Sequence, residues 1–145
     1  MIGVDTNLLF AWLNQNHPGH SSARVWIRSQ AENPDLALSE LALMELYGLL
    51  RNPVLLEAPL TADAAVATIE HLRRHPHWEL FDYPGGLMDR VWLHAAAPGF
   101  ARRRIYDARL ALSLRHHGVT EFATVNVKDF AGFGFTRVWN PLANT

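Results

Sequence analysis

The stretch GVDTNLLFAWL (residues 3–13) sets a carboxylate between a short apolar run and an apolar stretch of helical character. Ile2–Asp5 reads as a strand and Asn7–Asn14 as a helix, so Asp5 stands where one element hands over to the next. In open α/β sheets, ligands bind in the crevice beyond the carboxyl ends of the strands, which gives this acid a functional reading. Asp-Thr-Asn is also good capping chemistry for a helix N-terminus, which gives it a structural one.

Outward from this junction the same order repeats. Leu36–Ser39, Glu79–Asp82, Phe122–Val125 and Thr136–Trp139 are further candidate strands. Helices are predicted near Ser21–Gln30, Glu40–Arg51, Thr61–Arg74, Leu87–Ala97 and Asp107–His117. Alternating strands and helices imply an α/β fold with a mostly parallel sheet covered on both faces. Ser39 and Thr61 are candidate N-caps, Asn52–Pro53 ends one helix, and Gly118 ends another. No repeat, low-complexity tract or linker divides the chain, and residues 1–145 are expected to form a single domain.

Composition narrows the chemistry. The 145 residues are 49% hydrophobic, enough for a real core, and contain no cysteine, which removes disulfides, thiolate metal sites and thiol nucleophiles. No run approaches the roughly 20 apolar residues that span a bilayer, and the N-terminus lacks a basic leader; a cytoplasmic protein without membrane association is expected. A net charge of -1 gives no overall sign of nucleic-acid binding. The histidines, among them His17, His20, His71, His75, His77 and His94, show no ligand spacing.

Three further acids resemble Asp5 in their placement. Asp107 opens DARLALSL, with Leu110, Ala111 and Leu114 on its own helical stripe; it is either a first-turn acid favoured by the helix dipole or a functional one. Glu45 has Leu41, Ala42, Gly48 and Leu49 at three and four residues' distance, so on an inward face it needs a partner. Glu40, directly after Ser39, suits a helix N-terminus and reads as structural. Asp129 follows the strand in ATVNVKDF, where Asn126 and Asp129 also make ordinary turn chemistry. Three or four carboxylates converging on one sheet edge repel one another, by about 4 kcal/mol per pair at 4 Å and an effective dielectric of 20. Either their pKa values rise or a hard divalent cation lies among them, and oxygen-only ligation favours Mg²⁺ or Mn²⁺.

VDTNLL, LSELALMELYGLLRNP, IYDARLALSLRHHGV and FATVNVKDF, with RVWNPL at the end, occur in an order and spacing that resemble PIN domains, in particular the VapC toxins of VapBC toxin–antitoxin pairs. The resemblance spans nearly the whole chain. It implies a three-layer sandwich with a central sheet of four to five strands, and a Mg²⁺-dependent endoribonuclease using metal-activated water, with Mn²⁺ as a substitute. It also implies a homodimer inhibited by a cognate VapB antitoxin. Carried over residue by residue, the resemblance makes Asp5, Glu45, Asp107 and Asp129 the catalytic and metal-binding acids. Thr6, Asn7 and Asn126 are supporting polar residues, with Asn126 an alternative to Asp129 as the fourth ligand.

An RNA substrate needs local cations on a nearly neutral protein. Arg102, Arg103 and Arg104 precede Asp107 and Lys128 adjoins Asp129, so these are candidate phosphate contacts, or else a solvated basic loop. Trp12, Trp78 and Trp92 suit either base stacking or the core. The alternative function is a PIN-fold module that binds RNA or protein without cleaving. A carboxylate-dependent phosphatase would want a DxD string after the first strand, and VDTNLL offers one acid.

Overall fold

The computed structural model describes residues 1–143. Along the chain these form β1 (Ile2–Val4), α1 (Thr6–Leu13), α2 (His20–Ser29), β2 (Leu36–Ser39), α3 (Glu40–Leu50) and α4 (Ala62–Arg73). There follow β3 (Glu79–Phe81), α5 (Leu87–Ala95), α6 (Arg104–His116), β4 (Glu121–Ala123), a 3-10 turn (Val127–Phe130) and β5 (Arg137–Trp139). The five strands make one all-parallel sheet in the order β3-β2-β1-β4-β5. This is the α/β sandwich read from the sequence, with all five predicted strands present.

The strands are three or four residues long; the edge strands β3 and β5 are partly exposed, whereas the central ones are largely buried between two apolar layers. Alternation along β2 shows this: Leu36 and Leu38 join a core with α1, α3 and α4, whereas Ala37 joins the opposite core with α5 and α6. Gly3 lets α6 come close. A Cβ there would lie 3.0 Å from Leu114 Cδ1 and 3.1 Å from Phe122 Cδ1. A side chain at position 3 would require Leu114 and Phe122 to give way by a few tenths of an ångström.

The expected caps are formed. Ser39 Oγ accepts from the Leu41 amide at 3.1 Å, and Thr61 Oγ1 from Ala64 at 3.3 Å. Gly118, at φ 83°, takes the left-handed turn after α6. Most boundaries shift by one or two residues from the sequence reading, and the largest difference is at α6, which starts at Arg104, three residues before Asp107. Its extra turn carries arginine and tyrosine rather than an apolar stripe, so periodicity does not reveal it. Asp107 is thereby held on formed helix rather than at its mouth.

β1 sends its connection to β2 on one side, while β4 lies on the other. The carboxyl ends of β1 and β4 therefore flank the point where strand order reverses, and a crevice opens there. Asp5 follows β1 and Thr124 follows β4.

Candidate active site

Asp5 is both cap and site residue. Its Oδ1 accepts from the Thr6 amide at 2.7 Å, capping α1, while Oδ2 accepts from the Thr124 hydroxyl at 2.6 Å across the switch point. Asn7 Nδ2 lies 3.3 Å from the same Oδ2, and Asn7 Oδ1 accepts from the Val125 amide. Asp5 is only 6% exposed. Burial pushes its carboxyl up to about 6, against the pull of the Thr124 and Thr6 hydrogen bonds, and the nearby charges of Glu45 and Asp107 add to the rise.

Glu45 comes from α3 and opens onto the same cleft as Asp5 and Asp107. It is exposed rather than buried, because α3 turns that side chain to the cleft mouth. The partner it was expected to need is Thr6, whose hydroxyl shares one proton between the Ala42 carbonyl at 3.0 Å and Glu45 Oε2 at 3.2 Å. Glu40 points elsewhere and pairs with Arg73 at 2.6 Å. Asp107, half-buried on α6, also has its carboxyl raised to about 6. Burial is the main cause, followed by the charges of Asp129 and Glu45, with Arg104 opposing.

The cleft occupies about 630 Å³, with Phe10, Leu41, Leu110 and Phe130 among its apolar walls. Asp5, Glu45, Asp107, Asn7 and Asn126 all line it, whereas Asp129 does not. Asp129 is exposed on the 3-10 turn and reaches the site through its charge on Asp107. Four acids were expected to converge; three line the cleft, and Asn126 occupies the place nearer to them. Among the described residues no group of three acids or histidines is already gathered tightly enough to hold an ion. Bare carboxylates that repel one another have no reason to close up further.

The basic residues also sort differently from expectation. Arg104 is committed to structure: its guanidinium donates to the carbonyls of Asp129 and Ala131 at 3.1 and 3.0 Å and lies over the rings of Phe100 and Phe133. Through these contacts it ties the 3-10 turn to α6. Arg102 and Lys128 are exposed outside the cleft lining, and Arg103 is exposed and lines it. Trp78 belongs to the core, its Nε1 donating to the Gln30 carbonyl at 2.8 Å.

Sequence reasoning missed four residues. Thr124 is fully buried and orients Asp5, while its own oxygen accepts from the Asn126 amide at 3.0 Å. The sequence reading ran the strand through Val125 and so hid Thr124 inside it, whereas β4 ends at Ala123. Tyr106, Arg109 and His17 also line the cleft. The first two sit beside Asp107 in sequence, while His17, held with Nδ1 accepting from the Gly19 amide, carries no local signal.

Chemically, the site offers carboxylate oxygens from three separate elements with no lysine, arginine or histidine among the described residues in ion-pair contact with them. Such a set suits a hard divalent cation, which would relieve the repulsion that helps to raise Asp5 and Asp107. An acid at the switch point of a small parallel sheet, joined by one from α3 and one from α6, defines the class: the chain belongs to the PIN-domain family, whose model matches residues 2–134. Within that family it falls with the VapC proteins. It is 46% identical over 144 residues to Ribonuclease VapC24 of Mycobacterium tuberculosis, covering 99% of each chain. The structure of VapC20 from M. tuberculosis, described as a sarcin-ricin loop cleaving toxin, superposes with a TM-score of 0.71 at 22% identity over 94% of this chain and 97% of that one. DNA-bound VapBC from Salmonella typhimurium gives 0.65 at 20% identity over 97% of each.

Proposed function

We propose that this protein is the ribonuclease toxin of a VapBC pair, a divalent-metal-dependent endoribonuclease. The observation that carries the reading is the trio Asp5, Glu45 and Asp107, which line one cleft at the switch point without a paired cation. Similarity to a protein named a ribonuclease along 99% of both chains supports the activity.

Asp5, Glu45 and Asp107 would hold Mg²⁺ or Mn²⁺, with Asn126 or Asp129 completing the set. The ion supplies Lewis-acid activation of water and neutralisation of charge at the phosphodiester. The chain's own residues prepare the site. Thr124 and the Thr6 amide fix the Asp5 carboxylate, and the Thr6 hydroxyl steadies Glu45. The apolar walls limit water around the carboxylates and strengthen their hold on a cation. Arg103 supplies positive charge to the cleft for the RNA backbone, with Arg102 and Lys128 outside it.

The partners follow the same electrostatics. A VapB antitoxin tail would press a basic side chain onto the acids and exclude metal and substrate; solved relatives of this fold include toxin–antitoxin complexes. A homodimer would bury apolar surface of the first helices.

The test is incubation of the purified protein with cellular RNA and Mg²⁺, followed by sequencing of new 5′ ends. Cleavage at defined sites, leaving 5′-phosphates, is expected. RNA binding without new ends would replace this reading with that of a PIN-fold binding module.

A further inference from the structure

The catalytic acids repel RNA, so something beside them must hold a nucleotide, and α6 carries the means on one flank. At about 100° per residue, Arg103, Leu110, Tyr106 and Arg109 follow Asp107 in turn around that flank of the helix. All four line the cleft that contains Asp5 and Asp107. Tyr106 is 67% exposed, an unusual position for a ring of its size beside a set of carboxylates.

Arg109 is placed over the Tyr106 ring, its guanidinium carbon 5.7 Å from the centroid. Among the described residues it makes no ion pair with the acids across the cleft, and its buried Nε has no hydrogen-bond partner. The cation is thus held by stacking and packing, with its donors unspent. Arg104 also stacks on two rings and leaves its buried Nε unpartnered, but one of its terminal nitrogens is used on the carbonyls of Asp129 and Ala131. An exposed aromatic face and an uncommitted guanidinium are the two groups that recognise a single-stranded nucleotide, one through the base and the other through the phosphate.

We propose that Tyr106 and Arg109 form the subsite for the nucleotide next to the scissile phosphate, Tyr106 stacking on its base and Arg109 binding its phosphate. The proposal rests on the ribonuclease reading and adds to it where RNA lies: along the α6 flank, on the Tyr106 side of Asp107. Both are positioning residues for substrate. Stacking tolerates any base, so this subsite supplies grip more than sequence choice.

The experiment measures binding of a short fluorescent single-stranded oligoribonucleotide by anisotropy, with Mg²⁺ present, in the full chain carrying Asp5→Asn so that the RNA stays uncut. Tyr106→Leu is expected to weaken binding roughly tenfold without changing its salt dependence, and Tyr106→Trp to restore it. Arg109→Gln is expected to weaken binding and to reduce the slope of log K against log salt by about 0.7, the share of one phosphate on a single strand. In the chain with Asp5 intact, Tyr106→Leu should raise the KM for cleavage with little change in kcat. Circular dichroism melting confirms that each variant is folded. Unchanged affinity, salt slope and KM in both variants of a protein that still cleaves RNA would overturn the subsite and leave the ribonuclease reading standing. Loss of self-association with unchanged RNA affinity would make this face a contact between protein chains and overturn it equally. If the unmodified protein neither cuts nor binds RNA, the ribonuclease reading falls, and the subsite with it.

Discussion

Replacing Asp5 by asparagine tests the cost of this buried charge, because the amide matches the protonated carboxyl in size and polarity but never ionises. A carboxyl moved from 3.8 to about 6 destabilises the folded state by roughly 3 kcal/mol when it is ionised. Below about pH 4 the group is protonated in the folded and unfolded chains alike, and this cost is absent. Between about pH 4 and 6 the folded chain holds a proton that the unfolded chain has lost, so stability falls as pH rises; above about 6 the cost is fully present. Asparagine carries no such dependence. Its side chain keeps one acceptor oxygen, as a protonated carboxyl does, where the ionised carboxylate accepts from both the Thr6 amide and the Thr124 hydroxyl. Those two hydrogen bonds favour the ionised form and are already included in the net rise to about 6.

Asp5→Asn is therefore expected to be about as stable as the parent at pH 4 and more stable than it at pH 7, a swing of roughly 3 kcal/mol. For a chain of this length the swing corresponds to about 10 °C in Tm. The assay is urea unfolding of both proteins in EDTA across this range, so that bound metal does not contribute. A difference in stability that stays constant with pH would refute the reasoning, because it would mean that Asp5 is not strained by burial.

Glu45→Gln should cripple RNA cleavage, whereas Glu40→Gln should leave kcat unchanged and cost little stability, because its pair with Arg73 is open to solvent; reversed phenotypes would move the site to Glu40. Asp129→Asn should raise the Mg²⁺ concentration needed for cleavage, while Asn126→Ala disturbs the turn; if a Mg²⁺ titration finds the effects exchanged, Asn126 is the fourth ligand. Thr124→Val removes a hydrogen bond that favours ionised Asp5, so it should push that carboxyl above about 6 and move the acid limb of the pH–rate profile upward. An unmoved limb would show that Thr124 acts only in packing.

The fold was legible because its signals are local. Asp5 after a strand, Ser39 and Thr61 as caps and the Gly118 turn each declare themselves within a few residues, and all are formed. Asp107 was legible as a charge on an apolar stripe, and Leu110, Ala111 and Leu114 are buried as that stripe requires. What depended on tertiary direction was not legible. The three consecutive arginines look alike in sequence, yet Arg104 is drawn to the carbonyls of the 3-10 turn while Arg103 faces the cleft. Tyr106 and Arg109 lie in a helical turn without apolar periodicity, and Thr124 gains its role only when β4 is placed beside β1. Asn126 stands just before the 3-10 turn and lines the cleft, whereas Asp129 lies within the turn and does not, a difference that only the placed turn reveals.

The central claim is that Asp5, Glu45 and Asp107 hold a divalent cation on which RNA cleavage depends. Electron paramagnetic resonance of added Mn²⁺, measured on the samples used for cleavage, tests it directly. Bound Mn²⁺ is expected in the parent and lost in a folded Asp107→Asn variant, with cleavage lost in parallel and chelator abolishing both. Cleavage that persists in excess EDTA, or an Asp107→Asn variant that keeps both its Mn²⁺ and its activity, would contradict the account.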